Sequence, residues 1–201
     1  MSNSSLVNYT LISPNKNTPR KHKIDKITIH HMAGNLTVEQ CGKVFAPKTR
    51  KASANYGIGT DGRVGLYVDE KDRSWASSSA ANDNRAVTIE VANDEIGGNW
   101  HVSDVAYNKL IELCVDICKR NGIPKLVWTG DKNGTLTVHR MFASTACPGP
   151  YLYSKMPEIA AEVNRRLAQP VSAPAPNVTN PAATAISSSS TTLAPAQSHN
   201  N

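Results

Sequence analysis

His30, His139 and Cys147 are the residues whose types could together hold a metal ion: two imidazoles and a thiol, supplied by two distant parts of the chain. Three such ligands leave the fourth position of a tetrahedral zinc open to water, which separates a catalytic zinc from a closed structural one. Each residue alone says little. A histidine at a strand end is most often a satisfied polar residue, and a buried cysteine beside a proline turn, as in Cys147-Pro148-Gly149-Pro150, is common. Glu90 changes the weight of the set. It stands among Val87, Ile89 and Val91, where an ionised carboxylate is costly unless it has a partner or faces a solvated cleft. A solvent-facing position or a salt bridge would meet that cost as well as a reaction would. Beside a metal-activated water, Glu90 would accept and return a proton.

The elements that must position these groups follow from periodicity. Residues 26–30 alternate apolar Ile27 and Ile29 with polar Thr28 and His30, so His30 leaves the strand on the face away from the isoleucines, while His31 points the other way. Thr37 and Gln40 form a capping box for a short helix with Val38, Cys41 and Phe45 on one side, ended by Pro47. Residues 56–68 read as a β-hairpin turning at Thr60-Asp61-Gly62, and residues 86–92 as a strand with Thr88, Glu90 and Ala92 on one face. Ser103 caps a helix over about 104–120, with Ala106, Leu110, Leu113, Cys114 and Ile117 at helical spacing before Gly122 and Pro124. Residues 125–129 are expected as a short strand, residues 136–138 lead into His139, and Pro157 is expected to open a last helix that buries Ile159, Val163 and Leu167. Interleaved strands and helices predict an α/β fold, a single domain with a central mixed sheet flanked by helices.

Composition sets the limits of that domain. From 168 to 201 the chain has no Lys, Arg, Asp or Glu and is dominated by Ala, Ser, Thr, Asn and Pro, which predicts a disordered linker or tail after a folded unit of 1–167. The net charge of 22 − 16 = +6 therefore sits on the folded unit. A basic surface suits an anionic partner or serves solubility alone, and without a nucleic-acid motif a wall polymer is preferred to nucleic acid. No run is apolar enough to span a bilayer, and the first ten residues lack the basic-then-apolar order of a signal peptide, so synthesis without ordinary secretion and reduced cysteines are expected. Cys114 and Cys118, one helical turn apart in an apolar stripe, read as small buried thiols.

Four ordered motifs carry a resemblance: residues 27–34 (ITIHHMAG), 53–62 (SANYGIGTDG), 87–93 (VTIEVAN), and His139-Arg140 followed by residues 145–149 (TACPG). Together they resemble zinc-dependent N-acetylmuramoyl-L-alanine amidases, the type shared by phage endolysins, autolysins and peptidoglycan recognition proteins. The resemblance implies a peptidoglycan recognition protein-like fold, with Zn2+ on His30, His139 and Cys147 and Glu90 as acid and base. It implies cleavage of the amide between N-acetylmuramic acid and L-alanine in peptidoglycan. Two positions depart from the pattern of some relatives: Ala54 where a tyrosine stands, and Thr145 where a lysine stands, leaving Thr145 as a donor to the developing oxyanion. Trp75 is preferred to Trp100 and Trp128 as a groove residue. An endolysin held in the host bacterial cytoplasm until release would fit. A module that binds peptidoglycan without cutting it, and a zinc amidase of soluble muropeptides, are the alternatives.

Overall fold

Alternating branched and polar residues build the middle of the molecule, and the computed structural model describes residues 2–170. In chain order the elements are β1 (Tyr9–Thr10), β2 (Lys16–Asn17), β3 (Lys26–His31), α1 (Val38–Phe45), β4 (Tyr56–Ile58), β5 (Val64–Leu66), β6 (Arg73–Ser74), α2 (Ala80–Arg85), β7 (Ala86–Val91), α3 (Asp104–Asn121), β8 (Leu136–Val138) and α4 (Gly149–Ala168). Six strands form one sheet in the order β1-β5-β4-β7-β3-β8, parallel throughout except for the β4–β5 hairpin. Strands β2 and β6 pair separately, antiparallel. The sheet is mixed and its helices flank it, as the alternation predicts.

One face of the sheet is apolar. Ile27, Ile29, Val87, Ile89, Val91, Leu136 and Val138 pack with Leu110, Leu113, Cys114 and Ile117 of α3 and with Leu152, Met156, Ile159 and Val163 of α4. Each such side chain, fully buried, contributes about 1.5–3 kcal/mol, and this layer is the main source of stability. Cys114 and Cys118 lie in it as buried thiols. Helix α1 packs near β5 and β1, where Cys41 and Phe45 meet Ala54 and Tyr67, and the Tyr67 hydroxyl donates to the Val38 carbonyl at 2.6 Å.

The local signals act as expected at most ends. Thr37 and Gln40 form the reciprocal capping box. Ser103 caps α3, and Gly122 closes it in the left-handed conformation. Gly62 turns the hairpin at φ +80°, a conformation that disfavours any side chain.

Two expectations fail. Residues 125–129 are not a strand: the Val127 amide donates to the Thr135 side chain at 2.8 Å, and both backbone groups of Leu126 are taken by the Asn164 amide at 2.7 and 2.8 Å. Side chains thus replace most of the ladder, of which the Leu136 amide donating to the Val127 carbonyl at 3.1 Å is what is left. Pro157 does not open the last helix. It lies inside α4, which starts at Gly149 with Pro150 in its first turn, and Pro157 is exposed, so its missing N–H faces the solvent side. The tail expected from residue 168 lies outside the described residues, apart from Ala168 itself, the last residue of α4, and the two that follow it.

Candidate active site

The other face of the same strands is polar. Thr28 and His30 of β3, Thr88 and Glu90 of β7, and Thr137 of β8 project on it, with Thr28 paired to Thr88 and Thr137, and His30 paired to Glu90, in register. Ile29 pairs with Val138, so His139, the next residue, arrives beside His30, and the two rings lie 4.7 Å apart between centroids. Cys147 reaches the same point on a braced loop. The Arg140 amide donates to the Cys147 carbonyl at 3.1 Å, the Arg140 guanidinium donates to the Ala146 carbonyl at 2.7 Å and covers the Tyr153 ring at 4.1 Å, and the Cys147 amide donates to the Thr145 hydroxyl at 3.2 Å. Gly149 then turns the chain at φ +84°, where a Cβ would come 3.1 Å from His31 and Trp100. Only glycine fits that approach.

The sequence-derived residues therefore meet. One ligand atom from each of His30, His139 and Cys147 lies within 4.8 Å of the others, the one such group among the described residues. Glu90 Oε1 is 3.9 Å from His30 Nδ1. The donor set fits a zinc ion: Nε2 of both histidines is buried without a hydrogen-bond partner. Burial, with the charges of His139 and His31, pushes the His30 pKa well below its ordinary 6.5, and burial lowers that of His139, so both imidazoles are held neutral with a lone pair to give. Burial, reinforced by the Glu90 charge, raises the Cys147 thiol and keeps it protonated without a cation. A coordinated cation would remove that proton. Burial also lifts Glu90 to about 8, opposed in part by Arg50, although 15 % of its side chain stays open to the cleft.

A cavity of about 320 Å³ opens over Glu90, His139, Thr145 and Cys147, with Met32, Leu36 and Phe45 on its apolar side and Arg50 at its rim. A second, of about 420 Å³, lies on the other side of His139 and holds Lys51, Arg73 and Trp75. Trp75 lines this second cavity. Trp100 instead packs edge-on against His31, and Trp128 against Tyr153. Ala54 is fully buried and brings no hydroxyl to the site. Thr145 is exposed at the rim.

Sequence reasoning missed Arg50, visible only as part of the basic run at 48–51, and the polar layer below the site. In that layer Thr28 and Thr137 share a hydrogen bond at 2.9 Å. Asn82 donates to Thr28 at 2.9 Å and to Ser77 at 3.3 Å, and Ser77 donates to Asp83 at 2.6 Å. Beside it the Thr88 hydroxyl meets Asn55 and Ser74. No isolated motif announces these polar residues, since each is satisfied only by another from a different element.

The family model described as N-acetylmuramoyl-L-alanine amidase matches residues 20–150, which include His30, Arg50, Glu90, His139, Thr145 and Cys147. The chain belongs to that family. The amidase is thus a peptidoglycan amide hydrolase in class. No curated protein matches its sequence. Among solved structures it is similar to PlyL (14 % identity, 78 % of this chain and 96 % of that one, TM-score 0.62). It is also similar to the endolysin N-acetylmuramoyl-L-alanine amidase LysCS of Clostridium intestinale (20 %, 79 % and 93 %, 0.55). A third likeness is to AmpD, solved as a selenomethionine derivative (15 %, 83 % and 96 %, 0.58). At these identities the likeness shows a shared fold, the central mixed sheet flanked by helices. No helix among the described residues is long and apolar enough to cross a membrane.

Proposed function

We propose that the chain cleaves the amide between N-acetylmuramic acid and the L-alanine that begins the peptide stem, as a zinc enzyme with His30, His139 and Cys147 as ligands and Glu90 as general base and then general acid. The observation that carries this reading is the convergence of two unpartnered imidazole nitrogens and a thiol within 4.8 Å, with a partly open carboxylate beside them, in a member of the amidase family. Zinc bound there would supply a Lewis acid to the amide carbonyl and to the attacking water.

The chain's own groups do the rest. Among the described residues Glu90 is the one acidic side chain lining the cavity, so it takes the proton of the attacking water and passes it to the alanine nitrogen as the C–N bond breaks. The Thr145 hydroxyl, which accepts from the Cys147 amide and keeps its own hydrogen free, donates to the oxyanion as it develops. Met32, Leu36 and Phe45 exclude water from one side of the reacting atoms. Likeness to an endolysin supports reading the chain as a bacteriolytic enzyme.

The test is product analysis on purified walls. The reading expects peptides that begin with L-alanine, released from intact glycan, and activity lost to a chelator and regained with zinc. Walls left uncut by zinc-loaded protein, or cut with glycan fragments as the products, would contradict it.

A further inference from the structure

A third cavity, of about 450 Å³, lies along the same sheet face. Lys26, Thr28 and His30 share the polar face of β3, and four residues at about 3.3 Å each put Lys26 roughly 13 Å from His30. Ser79 borders both this cavity and the Trp75 cleft, and His139 borders both that cleft and the Glu90 cavity, so the three openings run in series.

Lys26 is the unusual residue of this cavity. It is only 9 % exposed, and its ammonium donates to the Lys132 carbonyl at 2.8 Å. The nearby carboxylates are spent elsewhere: Asp25 is held bidentate by Arg85 at 2.9 and 2.6 Å, and Asp131 accepts from Thr129 at 2.7 Å and the Asn133 amide at 2.8 Å. An ammonium drawn from water with no carboxylate bonded to it is costly: burial, with the charge of Arg85, lowers the Lys26 pKa, and the charges of Asp25 and Asp131 offset this only in part. An anion entering the cavity would offset that cost through a charge-assisted hydrogen bond. Lys132, exposed at the edge, adds a second cation, and Phe142 provides an apolar wall.

We propose that this cavity is the subsite for the far, carboxylate-bearing end of the peptide stem, anchored by Lys26 and Lys132. The assignment rests on the amidase reading, because it takes the cleaved amide to lie over Glu90. An extended peptide advances at most about 3.3–3.6 Å per residue, so a stem that starts at the site needs at least about four residues to reach Lys26. A two-residue stem stops in the Trp75 cleft.

Calorimetric titration of the zinc-loaded chain with free stem peptides tests this without turnover. The tetrapeptide L-Ala-γ-D-Glu-L-Lys-D-Ala should bind at least about fivefold more weakly to Lys26→Met and to Lys132→Glu than to the unaltered protein, while L-Ala-D-isoglutamine should bind all three alike. The C-terminal amide of the tetrapeptide should lose the same factor on the unaltered protein. Lys132 is exposed, so Lys132→Glu keeps the test valid should Lys26→Met fail to fold. Equal tetrapeptide affinity for the unaltered protein and Lys132→Glu, an equal loss for both peptides, or no tetrapeptide binding would overturn the proposal. Failure of the amidase reading shows elsewhere, in walls that stay uncut.

Discussion

The two faces of the central sheet are made by the same three strands and do opposite work. On one face Ile27, Ile29, Val87, Ile89, Leu136 and Val138 sit in a layer closed by α3 and α4, stabilised by burial that requires no direction. On the other, Thr28, Thr88 and Thr137 are held by named partners, and beyond them stand His30, Glu90 and His139. A polar layer of this kind stabilises less per residue, and it is costly wherever a partner is lost. In exchange it fixes side-chain direction, which an apolar layer does not. One strand alternation therefore separates stability from chemistry, and substitutions on the two faces should move different observables.

The sharpest contrast is expected at Glu90. Glu90→Gln should lower turnover by about 10²–10⁴-fold, the range for loss of a general acid–base group, while zinc content and the thermal midpoint stay near those of the unaltered protein. Wall-lysis rates and metal analysis on the same sample check it, and a variant that lyses walls normally would remove Glu90 from the chemistry. On the apolar face, Ile89→Ala should cost about 2–5 kcal/mol of stability and leave bound zinc unchanged per folded molecule, as read by urea unfolding. A large loss of metal with little loss of stability would break the division of labour.

Thr28→Val falls between the two. It removes the hydroxyl that joins Thr137 to Asn82, two residues before His30, and should cost about 1–3 kcal/mol. It should also weaken zinc retention in a chelator competition, an effect that Ile89→Ala lacks. The smallest effect is in pH. In zinc-free protein the pKa values of His30 and His139 are lowered below 6.5, so the stability they contribute is present above 6.5 and lost as pH falls below it. Glu90 is raised from 4.5 to about 8, so the folded state keeps a proton that the unfolded state has released, and stability declines as pH rises between those values. Above 6.5 these histidines are neutral in both states, which leaves the Glu90 carboxyl as the site group that titrates up to about 8. Chelated protein should therefore lose unfolding free energy from pH 6.5 to 8, and Glu90→Gln should not. Parallel pH profiles for the two proteins would mean that Glu90 is not desolvated.

This contrast also explains what was legible in the sequence. Regular alternation wrote out β3 and β7, helical spacing with a serine cap and a glycine stop wrote out α3, and the glycine turn wrote out the β4–β5 hairpin. Those signals are local and repeat. The two-residue strands β1, β2 and β6 are too short to show a period. The stretch at 125–129 has strand-like residues, yet Asn164 and Thr135 take its backbone groups, a choice made by residues far along the chain. At α4 two prolines compete as the opening residue, and Pro150 wins because it follows the turn at Gly149, whereas Pro157 is tolerated on the exposed side. In the site, the ligand types and the odd carboxylate were visible as residue types out of place. Arg50, Asn82 and the Ser77–Asp83 pair were not, because a buried polar residue is informative only once its partner is known.

X-ray absorption at the zinc edge of the purified, zinc-loaded protein tests the central claim most directly. The account predicts one zinc per chain with a single sulfur and two imidazole nitrogens in its first shell, and loss of the sulfur signal in Cys147→Ser. A shell of oxygen and nitrogen alone in the unaltered protein, or zinc bound equally well with His30 or His139 replaced by alanine, would contradict it.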